Sequence, residues 1–210
     1  MKIEWRKDDK VLYLPPRKPV TIDVPELKYV AISGKGSPGT DAFQACISVL
    51  YTMGFGVKML PKQGITPEGY AEYTLYPLEG IWNLTEPWDY NHPLNKSDLT
   101  YDLMMRMPDF VTDELFGFVR ERAAKKKEVP ARLGDARFIT LTEGLCVQTM
   151  HIGSYDDEPA TFALMDAYAT ENQLARLGDQ HREIYLSDPR KAKPEALKTV
   201  LRYQVQKINT

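Results

Sequence analysis

A single plan is written twice along this chain: strand, glycine-bearing turn, helix, strand, strand. In the first copy, Tyr29-Val30-Ala31-Ile32-Ser33 is a run of strand formers leading into a glycine-rich turn. Phe43, Cys46, Ile47, Leu50 and Tyr51 then recur at i, i+3, i+4, i+7 and i+8, one face of a helix that Gly54 and Gly56 are expected to end. Tyr70 to Tyr76 is rich in strand formers. Leu99 to Met107 alternates, with Leu99, Tyr101, Leu103, Met105 and Met107 set against Thr100, Asp102 and Arg106. In the second copy, Leu145 to Ile152 is the strand and Gly153 to Pro159 the turn and helix start, where proline suits the first helical turn. Phe162, Met165 and Ala169 form the helical stripe, and His181 to Ser187 and Thr199 to Val205 are the closing strands. The spacing is too loose for a sequence repeat; the likeness is architectural.

Between the copies, Pro108-Asp109 opens a helix with Val111, Leu115, Phe118 and Val119 on one side, and Pro130 stops it. At the other end, Pro15, Pro16 and Pro19 predict an extended arm. The expected organisation is therefore an arm over residues 1–18 and a single ligand-binding domain over 19–210. Its halves, 19–107 and 136–207, are linked by a helix over 109–127. The fold class this predicts is α+β: a pseudo-two-fold repeat of βαββ units forming antiparallel sheets around a central ligand groove, with helices packed outside. Such a repeat creates a groove where its halves meet, a common place for a ligand pocket.

Composition narrows the function classes. A chain of 210 residues buries roughly 70% of its unfolded surface, enough for a core without disulfides. Cys46 and Cys146 lie far apart in apolar runs and are expected to be buried thiols. His92, His151 and His181 are scattered, no cluster has metal-ligand spacing, and neither metal nor cofactor is expected. With 27 Lys+Arg against 29 Asp+Glu, the chain lacks the basic excess of a phosphate-reading surface, so no nucleic-acid partner is expected. The one basic run, Arg120 to Lys127, is the polar tail of a helix, where the macrodipole favours positive charge. No apolar stretch suggests a membrane span. The start, MKIEWRKDDKVLYLPP, is charged and then broken by prolines, unlike a secretory leader, so a cytoplasmic location is expected. No protein partner can be named from the sequence.

Gly34-Lys35-Gly36-Ser37-Pro38-Gly39 matches G-x-G-x-x-G between a strand and a helix, the context of a dinucleotide fingerprint. The residues about 20 further on, Gly54-Phe55-Gly56-Val57-Lys58, offer no Asp or Glu for a ribose, and alternating βα units do not follow. The motif is therefore read as a tight turn that needs positive φ.

Trp82 and Trp88 flank Asn83-Leu84-Thr85-Glu86-Pro87, a segment read as too polar and too broken by proline for a core strand. In His181-Arg182-Glu183-Ile184-Tyr185-Leu186-Ser187, alternation puts Ile184 and Leu186 on one face, read as ordinary core, and His181, Glu183 and Tyr185 on the other. That second face is either a solvated strand face or a pocket wall, and spacing alone does not choose. As a wall it would hold a desolvated carboxylate among rings, suited to a cationic or planar ligand.

Three stretches together resemble the GyrI-like small-molecule-binding family, which includes effector domains of multidrug-sensing regulators. They are Tyr76-Pro77-Leu78-Glu79-Gly80-Ile81-Trp82, His151 to Pro159 with Gly153-Ser154-Tyr155 within it, and His181 to Pro189 continuing to Leu201-Arg202-Tyr203. The likeness covers nearly all of the chain from Lys18 onward. It implies a pocket closed by Glu183 and lined by Tyr155, Trp82 and Tyr185, with Tyr51, His181, Tyr203 and Trp88 as further candidates. Ser154 stands where the family has proline, and Asn83 where a second aromatic is frequent; Trp88 is the candidate replacement for that ring. Residues 1–18 are too short for a helix-turn-helix, so a stand-alone ligand domain is expected.

The partner implied is a planar, hydrophobic, possibly cationic small molecule, an aromatic ligand or drug. The long form with its tryptophans resembles a subgroup that hydrolyses cyclopropane-bearing DNA-alkylating natural products. In that reading Glu183 orients or deprotonates the attacking water, and Tyr155 donates to the oxygen that gathers charge. The alternatives are sequestration or sensing of a drug or metabolite without turnover, and an inhibitor role like that of the family's gyrase-binding namesake.

Overall fold

The structure, a computed structural model, describes residues 2–84 and 95–208. In chain order its elements are α1 (Trp5–Asp8), α2 (Lys10–Tyr13), β1 (Val20–Lys35), α3 (Asp41–Lys58), β2 (Leu78–Leu84), β3 (Leu99–Met107), α4 (Asp113–Ala124), β4 (Arg137–Ile152), α5 (Glu158–Glu171), β5 (Leu174–Arg176), β6 (His181–Tyr185) and β7 (Lys198–Lys207). The fold is α+β, its named strand pairs are antiparallel, and the order β-α-β-β occurs twice, the second time with the short β5 added. Two compact units arise: one from residues 1–4, 27–78 and 84–141, the other from 5–26, 79–83 and 142–210.

In the first unit, β1 and β3 pair from Lys28 opposite Met107 to Lys35 opposite Thr100. Between them in sequence comes the glycine-rich turn, where Gly36 and Gly39 have φ of 104° and 92°, a conformation that a Cβ disfavours. The Thr40 hydroxyl then caps α3 by accepting from the Phe43 N–H. This helix buries Phe43, Cys46, Val49, Leu50, Met53 and Val57.

Contrary to the expected stop, α3 runs through Gly54 and Gly56 to Lys58. These glycines allow close approach instead. A Cβ on Gly54 would lie 2.7 Å from Met105 Sδ, and one on Gly56 2.5 Å from Val119 Cγ1. The linking helix α4 begins at Asp113, capped by Thr112, and buries Phe116, Val119 and Ala123, while Phe118 is exposed. The strand expected over Tyr70–Tyr76 is also displaced. That segment makes one isolated bridge, Tyr73 to Ile3, and the strand proper is β2, beyond Pro77.

In the second unit β7 pairs with β4, β6 and, further along, β5. The helix α5 covers one face, where Val147, Met165, Ala169, Leu174, Leu201, Tyr203 and Val205 form the core with Leu145, Phe162 and Tyr168 packed against it. The expected extended arm instead folds at residues 5–13 into α1 and α2, burying Trp5, Leu12 and Tyr13. The prolines lie after these turns and leave them free to form. The Pro16 carbonyl then accepts from the Met150 N–H at 2.9 Å, tying the segment to β4. Cys46 and Cys146 are free and buried. Among the described residues no helix is long and apolar enough to cross a membrane.

Candidate functional site

The site is built on β6. Alternation turns His181, Glu183 and Tyr185 to one face and Arg182 and Ile184 to the other. Glu183 lies opposite Leu201 in the register with β7, and Leu201 belongs to the core under α5. Directly opposed residues share a face, so Glu183 and its two alternates face α5.

Rings and carboxyls meet there. Trp82, on β2 beside β6, is 5% exposed, next to the exposed Asn83 that opens the polar segment. Its Nε1–H donates to the Tyr185 hydroxyl at 2.7 Å. Tyr155, in a short helical turn ahead of α5, meets Tyr185 edge-on, with centroids 6.2 Å apart and planes at 87°. His181 Nε2 lies 3.1 Å from Glu183 Oε1, and the imidazole packs edge-on against Phe162 at 4.8 Å. A second buried carboxyl, Glu158 at the first position of α5, joins them. Tyr155 is 37% exposed, against 8% for Glu183 and 7% for Glu158, and is the most exposed ring of the group.

Two carboxyls are buried close together here, Glu183 beside the His181 imidazole and Glu158 at the start of α5. Burial, then the charges of Glu183 and Asp156, push the Glu158 carboxyl up to about 9, so at neutral pH it is a carboxylic acid. Burial, then the charges of Glu183, Glu158 and Asp188, push Tyr155 up to about 12. Burial and the Glu183 charge hold Tyr185 well above the usual phenol range. Both phenols are therefore neutral donors across the physiological range. The arrangement can stack a flat ligand, accept a proton at one carboxyl and offer one from the other.

The opposite face of β6, expected to be ordinary core, carries a buried ionic network. Arg182 donates from Nη1 to Glu79 Oε2 at 2.6 Å and from Nε to Glu143 Oε1 at 2.9 Å. Arg202, its register partner on β7, donates from Nη1 to Glu143 Oε2 at 3.0 Å, from Nη2 to the Leu12 carbonyl at 2.6 Å, and to Gln148 Oε1. Burial alone would raise the Glu143 carboxyl, but the two guanidiniums hold it below its usual value. The network fastens the N-terminal segment and β2 to the sheet that carries Glu183. Arginines in the alternating positions of two core strands were the available signal for it, as Glu158 three residues after Tyr155 was for the second carboxyl.

The structure brings Trp82, Tyr155, His181, Glu183 and Tyr185 together. Tyr203 sits in the core under α5, its hydroxyl donated to Asp166 at 2.9 Å and its ring covered by the Arg176 guanidinium at 4.4 Å. Tyr51 belongs to the first unit, exposed on α3 and stacked on Phe55 at 6.2 Å. Trp88 lies outside the described residues. Among the described residues no group of three or more His, Cys, Asp or Glu could hold a metal ion. Surface cavities of about 280 and about 270 Å³ are lined by other residues, the first around Leu60 and Val119, the second around Val11 and Pro16.

Residues 17–206 match the model of the GyrI-like small molecule binding domain. The chain belongs to the GyrI-like family. Two crystal structures of hydrolases from Listeria innocua are similar over their whole length. One is 34% identical, covers 97% of this chain and 100% of its own, and superposes with a TM-score of 0.88. The other is 35% identical, covers 98% and 100%, and has a TM-score of 0.90. The C-terminal domain of EcmrR, 15% identical with a TM-score of 0.53 over 94% of this chain and 99% of that one, shares the fold. No curated protein matches the sequence. As a GyrI-like domain, the chain is a small-molecule-binding protein.

Proposed function

We propose that this GyrI-like protein binds a planar hydrophobic small molecule against the aromatic and carboxyl face of β6 and hydrolyses it, the substrates being cyclopropane-bearing DNA-alkylating agents. The observation that carries the reading is Glu183: a carboxylate set among Trp82, Tyr155 and Tyr185 and oriented by His181 at 3.1 Å. The full-length likeness to Listeria hydrolases supports a hydrolytic reaction. The substrate class comes from the family resemblance of the long, tryptophan-bearing form.

In this mechanism the rings hold the flat ligand, and Glu183 takes a proton from a water aimed at the strained methylene carbon. The new C–O bond forms as the ring C–C bond breaks. Its electron pair passes through the conjugated system to the carbonyl oxygen, which becomes a phenolate and accepts a donor's proton. No covalent enzyme intermediate is required. His181, proton on Nε2, fixes the Glu183 carboxylate, and Trp82 fixes the Tyr185 hydroxyl.

The test is incubation of the purified protein with a cyclopropane-bearing alkylator, following the ring-opened hydrated product by mass spectrometry beside Glu183→Gln. Turnover that the variant loses, with its fold intact, is expected. Tight binding without product would make the chain a sequestering or sensing protein, and an unfolded variant would make the carboxylate structural.

A further inference from the structure

The turn before α5 and the first turns of that helix face β6 as a ladder of three rungs. Tyr155, Glu158 and Phe162 follow one another at i, i+3 and i+7, one side of a helix, while Tyr185, Glu183 and His181 alternate on one face of the strand. The outer rungs are formed by contact: Tyr155 meets Tyr185 at 6.2 Å and Phe162 meets His181 at 4.8 Å. The middle rung is then Glu158 opposite Glu183.

The groups that bear on Glu158 are Glu183 and Tyr185 from β6, and Tyr155 and Asp156 from the turn; His181, also on β6, reaches Glu183. Arg176 of β5 lies over the Phe162 and Tyr203 rings and donates to backbone carbonyls, so its guanidinium is engaged elsewhere. Glu158 Oε1 is buried and has no hydrogen-bond partner among the described residues. A buried carboxyl with a vacant oxygen, set against a second carboxylate, is unfavourable unless one of the two holds a proton.

We propose that Glu158 is a second catalytic residue of the site, the acid that protonates the substrate oxygen while Glu183 takes the proton of the attacking water. The proposal rests on the hydrolytic reading above. Water adds its oxygen to the methylene carbon and loses one proton to Glu183. The broken C–C bond leaves its electron pair on the former carbonyl oxygen, and Glu158 gives that oxygen a proton. The enzyme ends with Glu183 protonated and Glu158 ionised, and transfer across the middle rung restores the starting state. Nothing beyond water is consumed. A carboxyl near 9 is a stronger donor at neutral pH than Tyr155, near 12, which leaves the phenol to bind and orient the oxygen.

The experiment uses the full chain and the same alkylator, with kcat and KM measured between about pH 6 and about pH 10 for wild type, Glu158→Gln, Glu158→Asp and Glu183→Gln. Infrared spectra at neutral pH report the C=O stretch of a protonated carboxyl. Glu158→Gln should lower kcat about 100-fold with KM little changed, abolish the alkaline limb of the wild-type profile and remove the infrared band. Glu158→Asp should recover part of the rate and keep a limb. If Glu158→Gln keeps wild-type kcat and the alkaline limb while Glu183→Gln is inactive, Glu158 is structural and the hydrolytic reading stands without it. If wild type forms no product, the hydrolytic reading falls and the catalytic role of Glu158 with it.

Discussion

Glu158→Gln separates the energetics of the site from its chemistry, because glutamine keeps the shape of the acid but holds no titrating proton. The Glu158 carboxyl is raised from 4.5 to about 9 in the folded protein. For an acid raised on folding, the native state keeps a proton that the unfolded chain has released. Stability is therefore lost as pH rises through the window between the two values, at about 1.4 kcal/mol per pH unit. Below pH 4.5 both states are protonated and the penalty vanishes. At pH 7 the wild type carries about 3 kcal/mol of it, and near pH 9 about 6 kcal/mol. The N-terminus of α5 favours an anion and offsets up to about 1 kcal/mol. The variant should gain about 2 to 3 kcal/mol at pH 7, raising Tm by roughly 5 to 10 °C for a chain of this size. Thermal melts of both proteins at a series of pH values test this directly. The difference should be small near pH 5 and widen steadily with pH. A difference that is constant across the series, or a variant less stable at neutral pH, would show that Glu158 is not held as a buried neutral acid.

Two further substitutions probe the two faces of β6. Glu143→Ala removes the carboxylate that joins Arg182 and Arg202, both about 1% exposed. It should destabilise the protein by about 3 to 5 kcal/mol, read as a lowered denaturation midpoint, whereas a loss below about 1 kcal/mol would mean that the network is solvated. Trp82→Phe keeps a ring but loses the 2.7 Å donation to Tyr185; isothermal titration should show weaker ligand binding at a stability loss of about 1 kcal/mol, and unchanged affinity would remove Trp82 from the site.

Local periodicity made much of this molecule legible. The Leu99–Met107 alternation is β3, the stripe from Phe43 lies on α3, and the turn with Gly36 and Gly39 takes the positive φ that its glycines suggest. The alternation of β6 is likewise a local property, so a common face for His181, Glu183 and Tyr185 could be read from spacing. Helix ends were less legible at Gly54 and Gly56, because a glycine that permits close packing against Met105 and Val119 looks in sequence like one that terminates a helix. The N-terminal arm differs from its expectation for a related reason: prolines mark where helix cannot continue, but not that two helical turns precede them.

Strand and helix periods depend only on near neighbours, so which residues share a face is a local matter. What each face meets, and so what its groups are chemically, depends on distant parts of the chain. Arg182 is buried because Glu79, 103 positions away, comes to it, and Arg202 because the Leu12 carbonyl, 190 positions away, accepts from it. Glu158 is held as an acid because folding buries it near the charges of Glu183 and Asp156. Burial and charge set protonation, and both depend on partners that the chain brings together only by folding.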